Sequence, residues 1–181
     1  MALVLNGQAN TIGGLAVGGL PDGSIATADL ASGVGGKILQ VLQTTTTTQV
    51  SNTGTSYADT GLTGSITPAS TSNKILVLVC QNYEQKRSAA DAGGNINLMR
   101  DSTQLNEIIP NENYGMLIWS SGVGGISNYD VYNLSYLDSP NTTSSITYKT
   151  QCKGYFSDNN HAFKVNVGSG KSFLTLIEVA G

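Results

Sequence analysis

No window of this sequence carries the 3.6-residue apolar period of a long helix, and that absence most constrains what the chain can fold into. Short runs of apolar and β-branched residues instead follow one another between clusters of Gly, Asn, Ser and Asp, at the spacing of an all-β domain. The most apolar run is Lys74-Ile75-Leu76-Val77-Leu78-Val79-Cys80, which predicts a central strand buried on both sides. Residues 37–43 predict the first strand, with Leu39 and Val41 on one face and Ile38 and Leu42 on the other; residues 44–48 continue it as a β-branched run. Residues 57–67 read as short extended pieces broken by Gly61 and Gly64, and residues 68–73 as a loop.

The polar residues 81–95, with a turn at Asp91-Ala92-Gly93-Gly94, predict an exposed loop. Residues 96–100 and 104–109 predict a hairpin around Asp101-Ser102 that Pro110 ends. Residues 116–119, 128–137, 145–152, 162–167 and 172–179 complete the series; Phe163, Val165 and Val167 alternate with Lys164 and Asn166 as in a sheet wet on one face. Antiparallel strands in this number predict a β-sandwich of jelly-roll type in preference to a closed barrel. Strands such as 37–43 and 74–80 are apolar on both faces, so in a sandwich their outer face asks for cover by another subunit.

Residues 1–36 differ in kind. They contain no aromatic and no cationic side chain, and glycine pairs recur at Gly13-Gly14, Gly18-Gly19 and Gly35-Gly36. Ordering such a segment costs about 1–2 kcal/mol per residue, and more at glycine. Each of its scattered Leu, Ile and Val side chains returns only about 1.5–3 kcal/mol on full burial. The segment is therefore expected to be extended and ordered by neighbouring copies or a docking partner, with Leu3, Leu5, Ile12, Leu15 and Leu20 as the attachment contacts. A turn is expected at Leu20-Pro21-Asp22-Gly23-Ser24, and one helical turn over residues 27–32 with Thr27 as its cap. The expected organisation is residues 1–36 as attachment segment and residues 37–181 as head domain.

Composition narrows the function. Charged residues make up 12% of the chain and the net charge is -3, which supplies no basic surface for nucleic acid. The amino-terminal run is too short for a membrane span and lacks the cationic start of a signal peptide. Cys80 and Cys152 have no metal-ligand spacing and are expected as buried free thiols. Gly168-Ser169-Gly170-Lys171-Ser172 imitates a phosphate-binding loop, but Val165 stands where the first glycine belongs and a strand follows, so a hairpin turn is predicted. His161 is the single histidine, with no partner at metal-ligand spacing, and no Gly-x-Ser-x-Gly elbow is present. The reading is non-enzymatic, with no catalytic residue, cofactor or metal. Amphipathic rings beside polar loops make Tyr83 and Tyr155, with Asp158, the candidate contacts to a glycan.

Several phrases carry a resemblance: Leu20-Pro21-Asp22-Gly23-Ser24, Ala28-Asp29-Leu30-Ala31-Ser32-Gly33, Lys37-Ile38-Leu39-Gln40-Val41, residues 65–77, Tyr136-Leu137-Asp138-Ser139-Pro140 and the ending Leu176-Ile177-Glu178-Val179-Ala180-Gly181. Together they resemble the small fibre-like structural proteins of tailed bacteriophages, especially marine and cyanobacterial ones. The resemblance implies a homotrimer in the virion, assembled in the host cytoplasm, with its amino-terminal part fixed to capsid or tail proteins and a β-rich head facing outward. It further implies a short head fibre, decoration protein or small tail appendage, since no long shaft is present. The alternative is a receptor-binding tail-fibre or carbohydrate-binding module that meets host surface polysaccharide.

Overall fold

The computed structural model describes residues 4–6, 11–13, 37–88, 92–107, 116–118, 124–156 and 161–181. The chain divides into two compact units, Met1–Lys37 and Ile38–Gly181. Within the first, β1 (Val4–Asn6) and β2 (Thr11–Gly13) form an antiparallel ladder that sets Leu5 opposite Ile12. Leu3, Leu15, Leu20 and the helical turn expected at residues 27–32 lie outside the described residues.

The second unit is all-β and antiparallel. Its strands are β3 (Ile38–Thr46), β4 (Val50–Asn52), β5 (Ala58–Ile66), β6 (Lys74–Arg87), β7 (Ala92–Arg100), β8 (Thr103–Glu107), β9 (Met116–Ile118), β10 (Ile126–Asp138), β11 (Ile146–Gly154), β12 (His161–Val165) and β13 (Ser172–Val179). One sheet has six strands in the order β3-β13-β6-β12-β4, with β10 also on β6. The other has five, in the order β5-β11-β7-β8, with β9 also on β7. Ladder β10–β6 covers residues 75–87 of β6, so β13 (at 74–80) and β12 (at 83–87) share the opposite edge of that strand end to end. Strands β3 and β4 flank them in the same way, which makes this sheet four strands wide with β3/β4 and β10 as its two edges.

Alternation explains the core. Ile75, Val77, Val79 and Tyr83 of β6, Phe163 and Val165 of β12, and Leu174 and Leu176 of β13 point one way; Leu62, Ile66, Ile96, Leu98, Ile146, Tyr148 and Cys152 of the second sheet meet them in one cluster. The two sheets thus enclose a single core, as a β-sandwich does.

Three expectations need correction. The segment 81–95 is not an exposed loop: β6 continues to Arg87, β7 starts at Ala92, and Gln81, Tyr83, Glu84, Gln85 and Asn95 are buried. The glycines expected to turn lie in β7, where Gly94 packs so closely on Phe163 that a Cβ would enter its ring and stand 2.6 Å from the Lys153 carbonyl oxygen. The extended pieces at 57–67 are one strand, β5, with a bulge opposite Thr150 where Gly61 takes φ 79°. The turn at 168–171 is not a hairpin, because β12 and β13 run in the same direction along β6. A 3-10 turn at Val167–Ser169 offsets one from the other, and Asn82 caps the excursion by accepting Asn166 N–H on its carbonyl and Val167 N–H on its side chain.

Inside the sandwich a polar network joins both sheets. Thr150 donates to Gln81 Oε1 at 2.8 Å, Gln81 Nε2 donates to Asn166 Oδ1 at 3.1 Å, and Asn166 Nδ2 donates to the carbonyls of Thr48 and Thr60 at 2.8 and 2.9 Å. Thr60 and Thr150 hydroxyls meet at 2.5 Å. Buried amides and hydroxyls are tolerated because their partners are supplied.

Candidate interaction surface

The outward face of the six-stranded sheet is built from residues that alternate with the core positions. Cross-strand register aligns Leu137, Leu76, Ile177 and Val41 in one row across all four strands. The next rows are Ser135, Leu78, Thr175 and Gln43, then Asn133, Cys80, Phe173 and Thr45. These rows contain no charge. A depression of about 600 Å3 opens on them, lined by Leu78, Cys80, Asn133, Phe173 and Thr175 among others. An antiparallel sheet with one solvated face ordinarily turns polar residues outward; here apolar and uncharged side chains occupy that face.

Farther along β6 the face becomes polar. Glu84 accepts from Lys164 Nζ at 2.8 Å and Ser127 Oγ at 2.7 Å. Burial alone would raise its pKa, but the Lys164 and Ser127 hydrogen bonds outweigh it and hold the carboxyl below the ordinary range. Beside this cluster a shallow depression of about 320 Å3 lies between β10 and the 3-10 turn, lined by Asn82, Tyr83, Tyr129, Asp130, Val131 and Val167 among others. Tyr129 stands 65% exposed at its rim.

Of the expected glycan contacts, Tyr83 lines this depression. Tyr83 is buried, its ring stacked on Phe163 at 5.4 Å, and its hydroxyl reaches Asp130 Oδ2 at 3.4 Å. Burial, reinforced by the Asp130 charge, pushes its pKa up to about 12. Its ring packs into the core because β6 extends through this position, while Tyr83 also lines the depression beside Tyr129. Tyr155 is half-buried, edge-on to Phe156, whose ring lies under the Arg87 guanidinium at 3.8 Å, four residues along β6 from Tyr83. Asp158 lies outside the described residues. Tyr129, the exposed ring, escapes sequence reading because its neighbours Asn128 and Asp130 mark only an alternating strand, not which face is open.

The other acids hold the scaffold. Asp138 takes a forked contact from Arg100 and a hydrogen bond from the Tyr148 hydroxyl. Asp59 accepts from Lys149 and Gln151, which lower its pKa. Both cysteines are free; Cys152 is buried, which pushes its thiol up to about 12, whereas Cys80 is half-buried on the outer face. His161 is buried with Nε2 at 2.7 Å from the Gly93 carbonyl. Among the described residues no group of three or more His, Cys, Asp or Glu is placed to hold a metal ion, and no helix is long and apolar enough to cross a membrane.

Glu178 closes the end of the sheet where β3 begins. Its carboxylate accepts from Asn73 Nδ2 and Gln40 Nε2, both at 2.6 Å, and from Ala69 N–H at 2.7 Å. Burial raises its pKa, yet the Asn73, Gln40 and Ala69 hydrogen bonds prevail and lower it below 4.5. Protons therefore bind the unfolded chain more readily than the folded one, and this contribution is complete at neutral pH and lost as pH falls from the unfolded value through the lowered folded one. Glu178→Gln is expected to lower stability at pH 7 by about 1–3 kcal/mol and to flatten the acid limb of a thermal-midpoint profile. An acid limb identical to that of the parent protein would assign the acid sensitivity elsewhere.

The chain matches no protein-family model and no curated protein.

Proposed function

We propose that this protein is a non-enzymatic structural component of a bacteriophage virion, a short fibre or decoration unit in which residues 1–36 attach to the particle and the β-sandwich is displayed outward as a homotrimer. The observation that carries this reading is the uncharged part of the outer face of the six-stranded sheet, where Val41, Leu76, Leu137 and Ile177 form one row. A face of that kind suits burial against another protein surface. The strand order supports a jelly roll: with β3/β4, β8/β9 and β12/β13 each counted as one interrupted strand, eight strands fall into sheets of four, first-eighth-third-sixth and second-seventh-fourth-fifth. Jelly rolls recur in viral capsid and lectin domains, a fold-level analogy that supports the assignment. The sequence resemblance to phage fibre-like proteins points the same way, and leaves the outward loops to meet host polysaccharide.

Mass spectrometry of purified particles is expected to find the full-length chain, and a variant lacking residues 1–36 is expected to fold, stay oligomeric and be missing from particles. Particles without the full-length protein, or with the truncated one at equal occupancy, would overturn the reading.

A further inference from the structure

We propose that copies of this chain join edge to edge, β3 of one protomer pairing with β10 of the next, so that the six-stranded sheet continues from copy to copy around an axis parallel to its strands. The proposal rests on the self-assembly reading above and specifies its geometry.

Exposure is the first observation. Among the described residues, the large hydrophobic side chains left exposed are Ile38, Leu39, Val41 and Leu42 on β3 and Tyr129, Val131 and Leu137 on β10. Both strands are edges of the same sheet: β3 is laddered only to β13, and β10 only to β6. Unpaired edges offer rows of N–H and C=O groups to any passing strand, and proteins that stay monomeric blunt them with Lys, Pro or bulges. Neither Ile38–Thr46 nor Ile126–Asp138 contains Lys, Arg or Pro. The second sheet's edge strand β5 shows the contrast: its bulge at Gly61 interrupts the strand's middle and Asp59 is paired to Lys149 at 2.9 Å, whereas the irregularity in β3 lies at Leu39, near its start, and leaves residues 40–46 in regular register.

Register supplies the fit. Leu137 and Val41 are the two ends of one cross-strand row, so they stand at the same height on opposite edges. Directions alternate across the four strands, so β3 and β10 run oppositely. Rotation about an axis along the strands therefore brings β10 of one copy beside β3 of the next in the antiparallel sense of every other ladder here, with Leu137 against Val41. A two-fold contact of β3 with β3 would leave the apolar side chains of β10 uncovered. A head-to-tail contact uses both edges and closes as a ring. In that register residues 40–46 of β3 lie against residues 132–138 of β10, about 23 Å of strand, and Val131 and Tyr129 fall beside residues 47 and 49, between β3 and β4 of the same edge.

The test uses the full chain. Light scattering is expected to give three times the 18.8 kDa protomer mass. Val41→Lys and Leu137→Lys are each expected to weaken association by about thirtyfold or more, since each sets an ammonium in the seam, while circular dichroism stays that of the parent. In a Cys80→Ser background, Val41→Cys protein mixed with Leu137→Cys protein is expected to form a disulfide between the two variants under mild oxidation, and neither variant with itself. Self-linking of each variant, or trimers that survive both lysines, would overturn the seam while leaving self-assembly standing. A full-length monomer at micromolar concentration would overturn both.

Discussion

Asn166→Ala is expected to cost about 4 kcal/mol of stability, enough to lower the thermal midpoint by about 10 °C in a domain of this size. Asn166 is fully buried and holds φ 57°, ψ 43°, the left-handed region that asparagine tolerates better than alanine. Its amide nitrogen serves the carbonyls of Thr48 and Thr60, and its oxygen receives Gln81. Removing it strands two backbone acceptors and a glutamine donor in the interior, where each unsatisfied group costs about 1–3 kcal/mol. The backbone adds about 1 kcal/mol for alanine in the left-handed conformation. Asn166→Gly keeps the backbone relaxed and loses the same hydrogen bonds, so it is expected to retain about 1 kcal/mol more than the alanine variant. Chemical denaturation of both variants checks this: two midpoints within 1 kcal/mol of the parent would show that water replaces the amide freely.

The same residue shows where sequence reading stops. Alternation placed Asn166 on a wet face because Phe163 and Val165 flank it at the core period, yet it is buried to 0% exposure. Segment 81–95 went the same way: Gln81 and Gln85 continue the inward parity of Ile75, Val77 and Val79, and polarity masked the parity. A buried glutamine becomes legible only once its partner is known, and the partners of Gln81, Thr150 and Asn166, lie 69 and 85 residues away. Strands from Ile96 onward were readable because their inward positions are apolar. The outer face was half legible: two-faced apolar strands announce a need for cover, and Val41 on that face stands exposed. The Ile75–Val79 run is largely covered within the protomer, by the opposite sheet on one face. Which strands are edges depends on the order of pairing, which no local pattern records, so the concentration of apolar exposure on β3 and β10 emerges only from the fold.

Asp138→Ala is expected to destabilise the domain by about 3–5 kcal/mol, the cost of breaking a buried ion pair from one side. Asp138 is 5% exposed at the end of β10; its two oxygens share Arg100 Nη1 at 2.9 and 2.8 Å, and it accepts from the Tyr148 hydroxyl at 2.6 Å. Arg100 belongs to β7 and Tyr148 to β11, so this one carboxylate ties an edge strand of the first sheet to the second sheet. Its loss leaves a partly buried guanidinium and a buried phenol without an acceptor, whereas Tyr148→Phe removes a single bond and should cost about 1–2 kcal/mol. The double variant Asp138→Ala, Arg100→Met is expected to be more stable than Asp138→Ala alone, because the orphaned charge goes with its partner. Denaturant melts of Asp138→Ala, Arg100→Met and the double variant check the cycle, and strictly additive losses would mean the two groups do not interact. Leu137 immediately precedes Asp138, so loosening this tie frees the apolar end of the β10 edge; association measured by light scattering should weaken even at temperatures where Asp138→Ala remains folded. If association is untouched while stability falls, β10 is held in place by its ladder to β6 alone, and the tie between the sheets contributes to folding without shaping the edge.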